Sequence, residues 1–272
     1  MSTFFSILLP AYKCRYLKEC IDSVMAQTYS NWELVIVNDA SPEDIESMAL
    51  SYTDKRIRYF RNEKNFGAKR IVEQWNHCLR LAKGKYVICM GDDDRLKPDC
   101  LDQYAQLIAR YPDVAILHGQ TDIIDEQGGL LRHTPMRPEI ESAMSLLYHR
   151  IADRRPQFIG DFCYRTEELR TMGGFFYLPY AWGSDDISAI RAAALHGIAN
   201  TQETVFEYRD NNASITRHPY VAGKLCAIIK ESFWICKFLR KPADNEQDKQ
   251  YRRYVRRHLV THTARKCYYI LF

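Results

Sequence analysis

An α/β fold with a mostly parallel sheet flanked by helices, followed by a helical C-terminal extension, is the architecture this sequence predicts. Three observations carry it. Short buried apolar runs alternate with longer one-sided helical stripes through the first 120 residues. Two of those runs end in acids, at Asp39 and at Asp92 to Asp94. The 272 residues are 46% hydrophobic and 26% charged, a globular balance. At this length a chain buries roughly three quarters of its unfolded surface, so no disulfide or structural metal is needed to hold a core.

The elements follow in order. Phe5 to Leu9 is an apolar run closed by Pro10, a buried strand. Leu17, Cys20, Ile21, Val24 and Met25 make the stripe of an amphipathic helix. Leu34 to Val37 is a second strand, ending in Asn38 and Asp39. In Ser41-Pro42-Glu43-Asp44 a hydroxyl cap, a proline and two acids predict the start of a helix. Its stripe is Ile45, Met48, Ala49 and Tyr52. A third strand, Ile57 to Phe60, precedes a helix with stripe Ala68, Ile71, Val72, Trp75 and Leu79. Tyr86 to Met90 is the fourth strand and runs into Gly91-Asp92-Asp93-Asp94. Pro98 opens a helix, and Val114 to Leu117 is a fifth strand.

Beyond residue 120 the pattern thins. Gly128-Gly129 marks a hairpin tip between Thr121–Asp125 and Leu130–His133. Helices are expected at Ser142 to Ile151 and Asp185 to Leu195, strands at Gln157 to Tyr164 and Val205 to Tyr208, and a turn at Gly173-Gly174. From Val221 onward the chain is mostly helical.

Several classes are excluded. No apolar run approaches the roughly 20 residues of a membrane-spanning helix. The N-terminus has no basic segment ahead of its apolar stretch and no small-residue cleavage site, so a secretory signal is not expected. Nine cysteines without a CxxC pair or zinc-ligand spacing point to reduced thiols and a cytoplasmic protein. There is no GxGxxG after the first strand and no GxxxxGK[ST], which sets aside Rossmann dehydrogenases and P-loop enzymes.

In a parallel sheet of this kind ligands bind outside the carboxyl ends of the strands, so Asp39 and Asp92 to Asp94 open into one crevice. Three acids after a buried strand call for neutralisation by solvent or by a hard cation. Magnesium and manganese are typically held by one or two carboxylates plus substrate phosphate.

Taken in order, the motifs resemble glycosyltransferase family 2. They are Ser6 to Tyr12, Gln27-Thr28-Tyr29, Val37 to Ser41, Asn65-Phe66-Gly67, Ala82 to Tyr86 and Gly91 to Asp94 with Pro98 and Asp99. Tyr164-Arg165, Gly173-Gly174-Phe175 and Trp182 to Asp186 continue the set, which spans about 210 residues.

The resemblance implies a GT-A fold with a Rossmann-like central sheet, a nucleotide-sugar donor (UDP-linked in the usual case), a divalent metal and inversion at the anomeric carbon. Pro10, Ala11 and Tyr12 match the segment lining the nucleotide pocket, and Asp39 the acid that reads the base, with Asn38 replacing a common acid. Asn65, Gly67, Arg70 and Asp92 are expected around the donor, and spacing to Pro98 makes Asp93 the metal ligand. Gly91 stands in place of the motif's first acid. Asp185-Asp186 occupies the catalytic-base region, and sequence spacing favours neither over the other.

Residues 1–118 then form the nucleotide-sugar-binding half, 119–220 the acceptor-binding half of the same domain, and 221–272 a basic helical extension. The expected acceptor is a glycan or lipid-linked saccharide. A sugar-phosphate nucleotidyltransferase and a non-catalytic nucleotide- or glycan-binding protein are the alternatives. Each of four further residues has two readings. Trp182 stacks on the acceptor or packs in the core; Arg70 reaches a phosphate or lies on a solvated helix face. Arg209 and His218 contact diphosphate or metal, or are structural.

The final 36 residues carry ten Lys and Arg against three acids, +7 against −3 for the rest of the chain. Aromatic residues precede and interleave with them, notably Phe233 and Trp234 just ahead of the segment, and Phe238, Tyr268, Tyr269 and Phe272 within it. The extension is expected either to lie on the anionic inner face of a membrane or to pack back on the body. No nucleic-acid partner is expected, since no recognised module accompanies the charge.

Overall fold

A computed structural model describes residues 2–211, 220–243 and 245–271. The chain begins with β1 (Phe5–Ala11), α1 (Leu17–Met25), β2 (Trp32–Asn38), α2 (Ile45–Leu50) and β3 (Ile57–Arg61). A 3-10 turn at Ala68–Arg70 leads into α3 (Ile71–Leu81), then β4 (Tyr86–Cys89), β5 (Arg95–Leu96) and α4 (Cys100–Arg110). The second half comprises β6 (Ile116–Ile124), β7 (Leu130–His133), β8 (Ile140–Glu141), α5 (Ala143–Ile151), β9 (Phe162–Arg165), α6 (Thr166–Thr171), α7 (Ser184–Ala193) and β10 (Ile198–Arg209). Two long helices close it, α8 (Val221–Phe238) and α9 (Glu246–Leu271).

The sheet order is β3-β2-β1-β4-β9-β6-β10-β5. β3, β2, β1 and β4 are parallel neighbours. β9 runs antiparallel between β4 and β6, and β10 is parallel to β6, so six principal strands share one direction. Alternation along β1 sorts the core: Leu8 faces one side, Ile7 and Leu9 the other. Helices α1, α2 and α4 supply apolar side chains to the Ile7 face; α3, α5, α7, α8 and α9 supply them to the Leu8 face. Both faces are covered, as parallel strands require.

Three expectations need correction. Ser41 does not cap α2: Asp44 does, accepting from the Ser47 amide at 3.1 Å. The Ser41 hydroxyl instead donates to the Tyr12 carbonyl at 2.6 Å and so ties together two cleft loops. Pro98 does not start α4, which begins at Cys100; its carbonyl accepts from the Thr28 amide at 2.9 Å. Gln157 to Tyr164 is not one strand, because a 3-10 turn at Ile159–Asp161 intervenes before β9.

The C-terminal extension packs back on the body. Val255 and Leu259 of α9 are buried in the core, and Tyr251 stacks on Tyr148 of α5 at 4.3 Å. Lys266 pairs with the buried Glu231 of α8 at 2.6 Å, and Ser142 donates to Asp248. Among the described residues no helix is long and apolar enough to cross a membrane.

Candidate active site

A cleft of about 400 Å³ opens at the carboxyl ends of β1, β2 and β4, within the range typical of small-molecule sites. Pro10, Ala11, Tyr12, Asp39, Asn65, Gly67, Asp92 and Asp93 all line it. The fold thus brings eight of the eleven expected site residues to one place, Asp39, Asp92 and Asp93 as period and strand order predict and the other five as the resemblance implies.

Asp39 ends β2 on the cleft floor and is 5% exposed. Its amide donates to the Ala11 carbonyl at 3.0 Å. Its carboxylate accepts from the Asn62 side chain at 2.7 Å and the Phe66 amide at 3.0 Å. The loop carrying Asn65 and Gly67 thus folds over the acid. Gly67 has φ +72°, a left-handed conformation that suits glycine.

The three acids after β4 are in three different environments. Asp92 accepts from the amides of Tyr12 at 2.7 Å and Lys13 at 2.8 Å, fastening the acidic loop to the segment after β1. Burial, then repulsion from Asp93, pushes its carboxyl up to about 6. Asp94 is 3% exposed and accepts from the Arg209 amide at 3.0 Å; burial and Asp93 hold it well above the usual carboxylate range. Asp93 is partly exposed at the cleft and, among the described residues, has no backbone amide on its carboxylate; its Oδ2 accepts from Asn211 at 2.6 Å. Gly91 has a steric cause: a Cβ there would lie 2.6 Å from Asp93 Oδ1 and 3.0 Å from Asp94 Oδ2. A side chain at position 91 would therefore displace the Asp93 carboxylate from its present direction.

No group of three metal-binding side chains occurs among the described residues. A cage made by protein alone is absent there, whereas a single carboxylate facing a cleft suits a magnesium or manganese ion that also binds substrate phosphate. The donor chemistry of Asp93 fits that group.

Asp185 and Asp186 begin α7 after Gly183, whose φ is +88°. The turn before them adjoins the cleft, since Tyr180 stacks on the cleft residue Tyr220 at 4.3 Å. Asp186 is gripped from both sides: Arg150 donates to it through Nε at 2.7 Å and Nη2 at 2.9 Å, and Gln157 adds a third bond. Burial opposes its charge, but Arg150 prevails and holds the carboxyl down to about 2. Asp185 has no such clamp. Burial, then the charge of Asp186, raises it to about 7. Environment separates two chemically identical neighbours.

Arg70 does not line the cleft. Its guanidinium forms a pair with Glu73 at 2.7 Å and lies 5.1 Å over Phe66, on an exposed helix face. Trp182 packs against the small core of Leu178, Ile187 and Ala227, with Lys224 4.5 Å over its ring. Arg209 is 1% exposed and does not face the cleft as a diphosphate contact would. Its guanidinium bonds Glu19 at 2.7 Å and the carbonyls of Asp93, Asp125 and Glu126, clamping the acidic loop from behind. His218 lies outside the described residues.

Sequence reasoning missed Lys13, Gln74, Trp75, Tyr208 and Tyr220, which also line the cleft, and Asn211 and Arg150, which hold the acids. Lys13 directly follows Tyr12 and was within reach of the motif; the others come from distant segments and had no local signal.

The model of the family described as Glycosyl transferase family 2 matches residues 6–175. Among curated proteins, an uncharacterized glycosyltransferase of Rickettsia bellii is 36% identical over 146 residues, covering 51% of this chain and 20% of the relative. The putative glycosyltransferase EpsE of Bacillus subtilis is 25% identical over 243 residues, covering 87% and 83%. The chain spans about a fifth of the length of the Rickettsia bellii relative. Among solved structures, S. aureus TarS 1-349 in complex with UDP-GlcNAc superposes with a TM-score of 0.71 at 17% identity, covering 94% of this chain and 73% of that one. That likeness shows the fold: the α/β GT-A architecture.

Proposed function

The chain belongs to glycosyltransferase family 2, and from that premise we propose that it moves a sugar, with inversion, from a UDP-linked donor to a hydroxyl of a glycan or lipid-linked saccharide. The sugar is a hexosyl or N-acetylhexosaminyl group. One observation carries the reading: Asp39 and Asp93 line one cleft, while the turn ahead of Asp185 packs on the cleft residue Tyr220 and Asp185 lacks the Arg150 clamp that holds Asp186. The UDP-GlcNAc complex of the TarS neighbour supports the choice of nucleotide.

Asp39 orients the base, and Asn65, Gly67 and the Pro10–Tyr12 segment enclose the nucleoside. Asp93 would hold a manganese or magnesium ion, which would supply Lewis-acid stabilisation of the leaving diphosphate. Asp185 accepts the proton of the acceptor hydroxyl as that oxygen attacks the anomeric carbon from the face opposite the departing phosphate. Asp186, fixed by Arg150, keeps α7 in register and its own charge unavailable.

Asp39→Ala should weaken UDP binding by about 1.5–3 kcal/mol, the contribution of a hydrogen bond to a charged group, and should narrow the preference for uridine over other nucleotides. Calorimetry with UDP, GDP and ADP checks it. Equal weakening for all three, with selectivity kept, would make Asp39 a structural residue.

The charge of the extension supports peripheral binding at the inner membrane face. Arg253 and Arg257 are exposed on α9, as are Val260, Tyr268 and Tyr269. Arg253→Gln with Arg257→Gln should weaken binding to anionic vesicles by roughly thirtyfold, at about 1 kcal/mol per base, read as lost pelleting. Truncation is not a clean test, because removing α9 uncovers core. Pelleting that is unchanged by the two substitutions would remove the membrane from the account.

A further inference from the structure

A second cavity, of about 640 Å³, lies between the C-terminal ends of α7 and α8. Its walls include Phe176, Arg191, Trp234, Lys237, Phe238 and Lys241, and among the described residues no carboxylate lines it. The rings form a continuous platform: Trp234 stacks on Phe238 at 5.3 Å and 14°, and Phe176 meets Trp234 at 6.3 Å. Arg191 lies 5.6 Å over Phe176 and donates to the Met172 carbonyl. Among the described residues neither Lys237 nor Lys241 has a side-chain hydrogen bond or ion pair.

We propose that this groove is an acceptor subsite for an anionic saccharide, one carrying phosphate or carboxylate along its chain. The proposal rests on the glycosyltransferase reading and names the acceptor class that the reading leaves open. Aromatic faces suit the apolar faces of sugar rings, and three cations without an acid suit charge that a neutral glycan lacks. Cations are favourable at helix C-termini in their own right, and Arg191 and Lys237 occupy the last turns of α7 and α8. That preference accounts for neither Lys241 nor the aromatic floor.

The groove is also continuous with the chemistry. Trp182, three residues before Asp185, packs on the same small cluster as Phe176 and Trp234. Arg191 follows Asp185 by six residues on α7, about 9 Å along the axis. A bilayer is the poorer match, because Trp234 and Phe238 are half-buried and stack on each other one turn apart on α8. The outward rings Tyr268 and Tyr269 are 65% and 73% exposed on α9 and suit a flat surface better.

The test titrates the full chain with a galacturonate hexamer, a phosphodiester-linked hexose oligomer and maltohexaose at low ionic strength. The expected result is that at least one anionic oligomer binds tenfold or more tighter than maltohexaose. The Lys237→Gln, Lys241→Gln double variant should lose about tenfold in that affinity and keep its UDP affinity. The proposal is overturned if neither anionic oligomer binds, if maltohexaose binds as well, or if the double variant binds unchanged. It is equally overturned if the variant loses anionic-vesicle binding while saccharide binding persists, which would make the groove a lipid site. Failure of the wild-type chain to bind UDP would count against the donor reading and leave the groove result standing by itself.

Discussion

Asp93→Ala should reduce manganese-dependent UDP-sugar binding by two orders of magnitude or more, the several kcal/mol that a metal contributes at a diphosphate. The fold should be unaffected, since Asp93 is partly exposed and, among the described residues, its side chain bonds Asn211 alone. Asp94→Ala separates this from a general effect of charge. Asp94 is buried against the Arg209 amide, so its loss should lower stability while the remaining folded protein still binds donor in a manganese-dependent way. Calorimetry with and without chelator, beside thermal melts of both variants, checks the pair. Undiminished manganese-dependent binding by Asp93→Ala would remove the residue from the metal site.

Asp185→Asn should cut the transfer rate by about 10²–10⁴, the usual contribution of a general base, and leave donor affinity unchanged. Asp186→Asn should behave differently. It breaks a bidentate pair with Arg150 in which the aspartate side chain is 7% exposed, and should lower stability by about 3 kcal/mol. That is the low end for a buried pair, because Arg150 is 27% exposed. The two acids also titrate in opposite senses. With Asp185 raised to about 7, the wild-type rate should fall as pH drops through 7, since the protonated form accepts no proton. Asp186, held at about 2 by Arg150, contributes stability present above pH 4 and lost as pH falls toward 2. Rate profiles and urea melts from pH 3 to 8 measure both. Full activity in Asp185→Asn would reassign the base.

The first half of this fold was legible because parallel strands covered on both faces are near-continuous apolar runs: β1, β2 and β4 contain almost nothing else. β10 shows why the rest was not. It is twelve residues long, but its middle is Thr201-Gln202-Glu203, and its pairing with β6 shifts register there, so only Val205 to Tyr208 looked like a strand. β9 runs against its neighbours and follows a 3-10 turn that no periodicity announces.

The site divides in the same way. Asp39 and Asp93 sit where strands end, and strand order alone placed them in one crevice. The choice between Asp185 and Asp186 depends on Arg150, 36 positions away, and no spacing within the motif contains it. Arg209 looked like a ligand for phosphate because it is a basic residue near a late loop, whereas its amide and Nε are spent on Asp94 and Asp93 of the acidic turn and the rest of its guanidinium on Glu19, Asp125 and Glu126.

The central claim is that the cleft at the ends of β1, β2 and β4 holds a nucleoside diphosphate together with a divalent ion. Its most direct measurement is calorimetric titration of the full chain with UDP, first with manganese and then with the ion chelated. The account predicts saturable one-to-one binding with manganese, weakened at least tenfold by chelation and lost in Asp93→Ala. Absence of UDP binding with manganese present, or binding of equal strength with and without the ion, would contradict it.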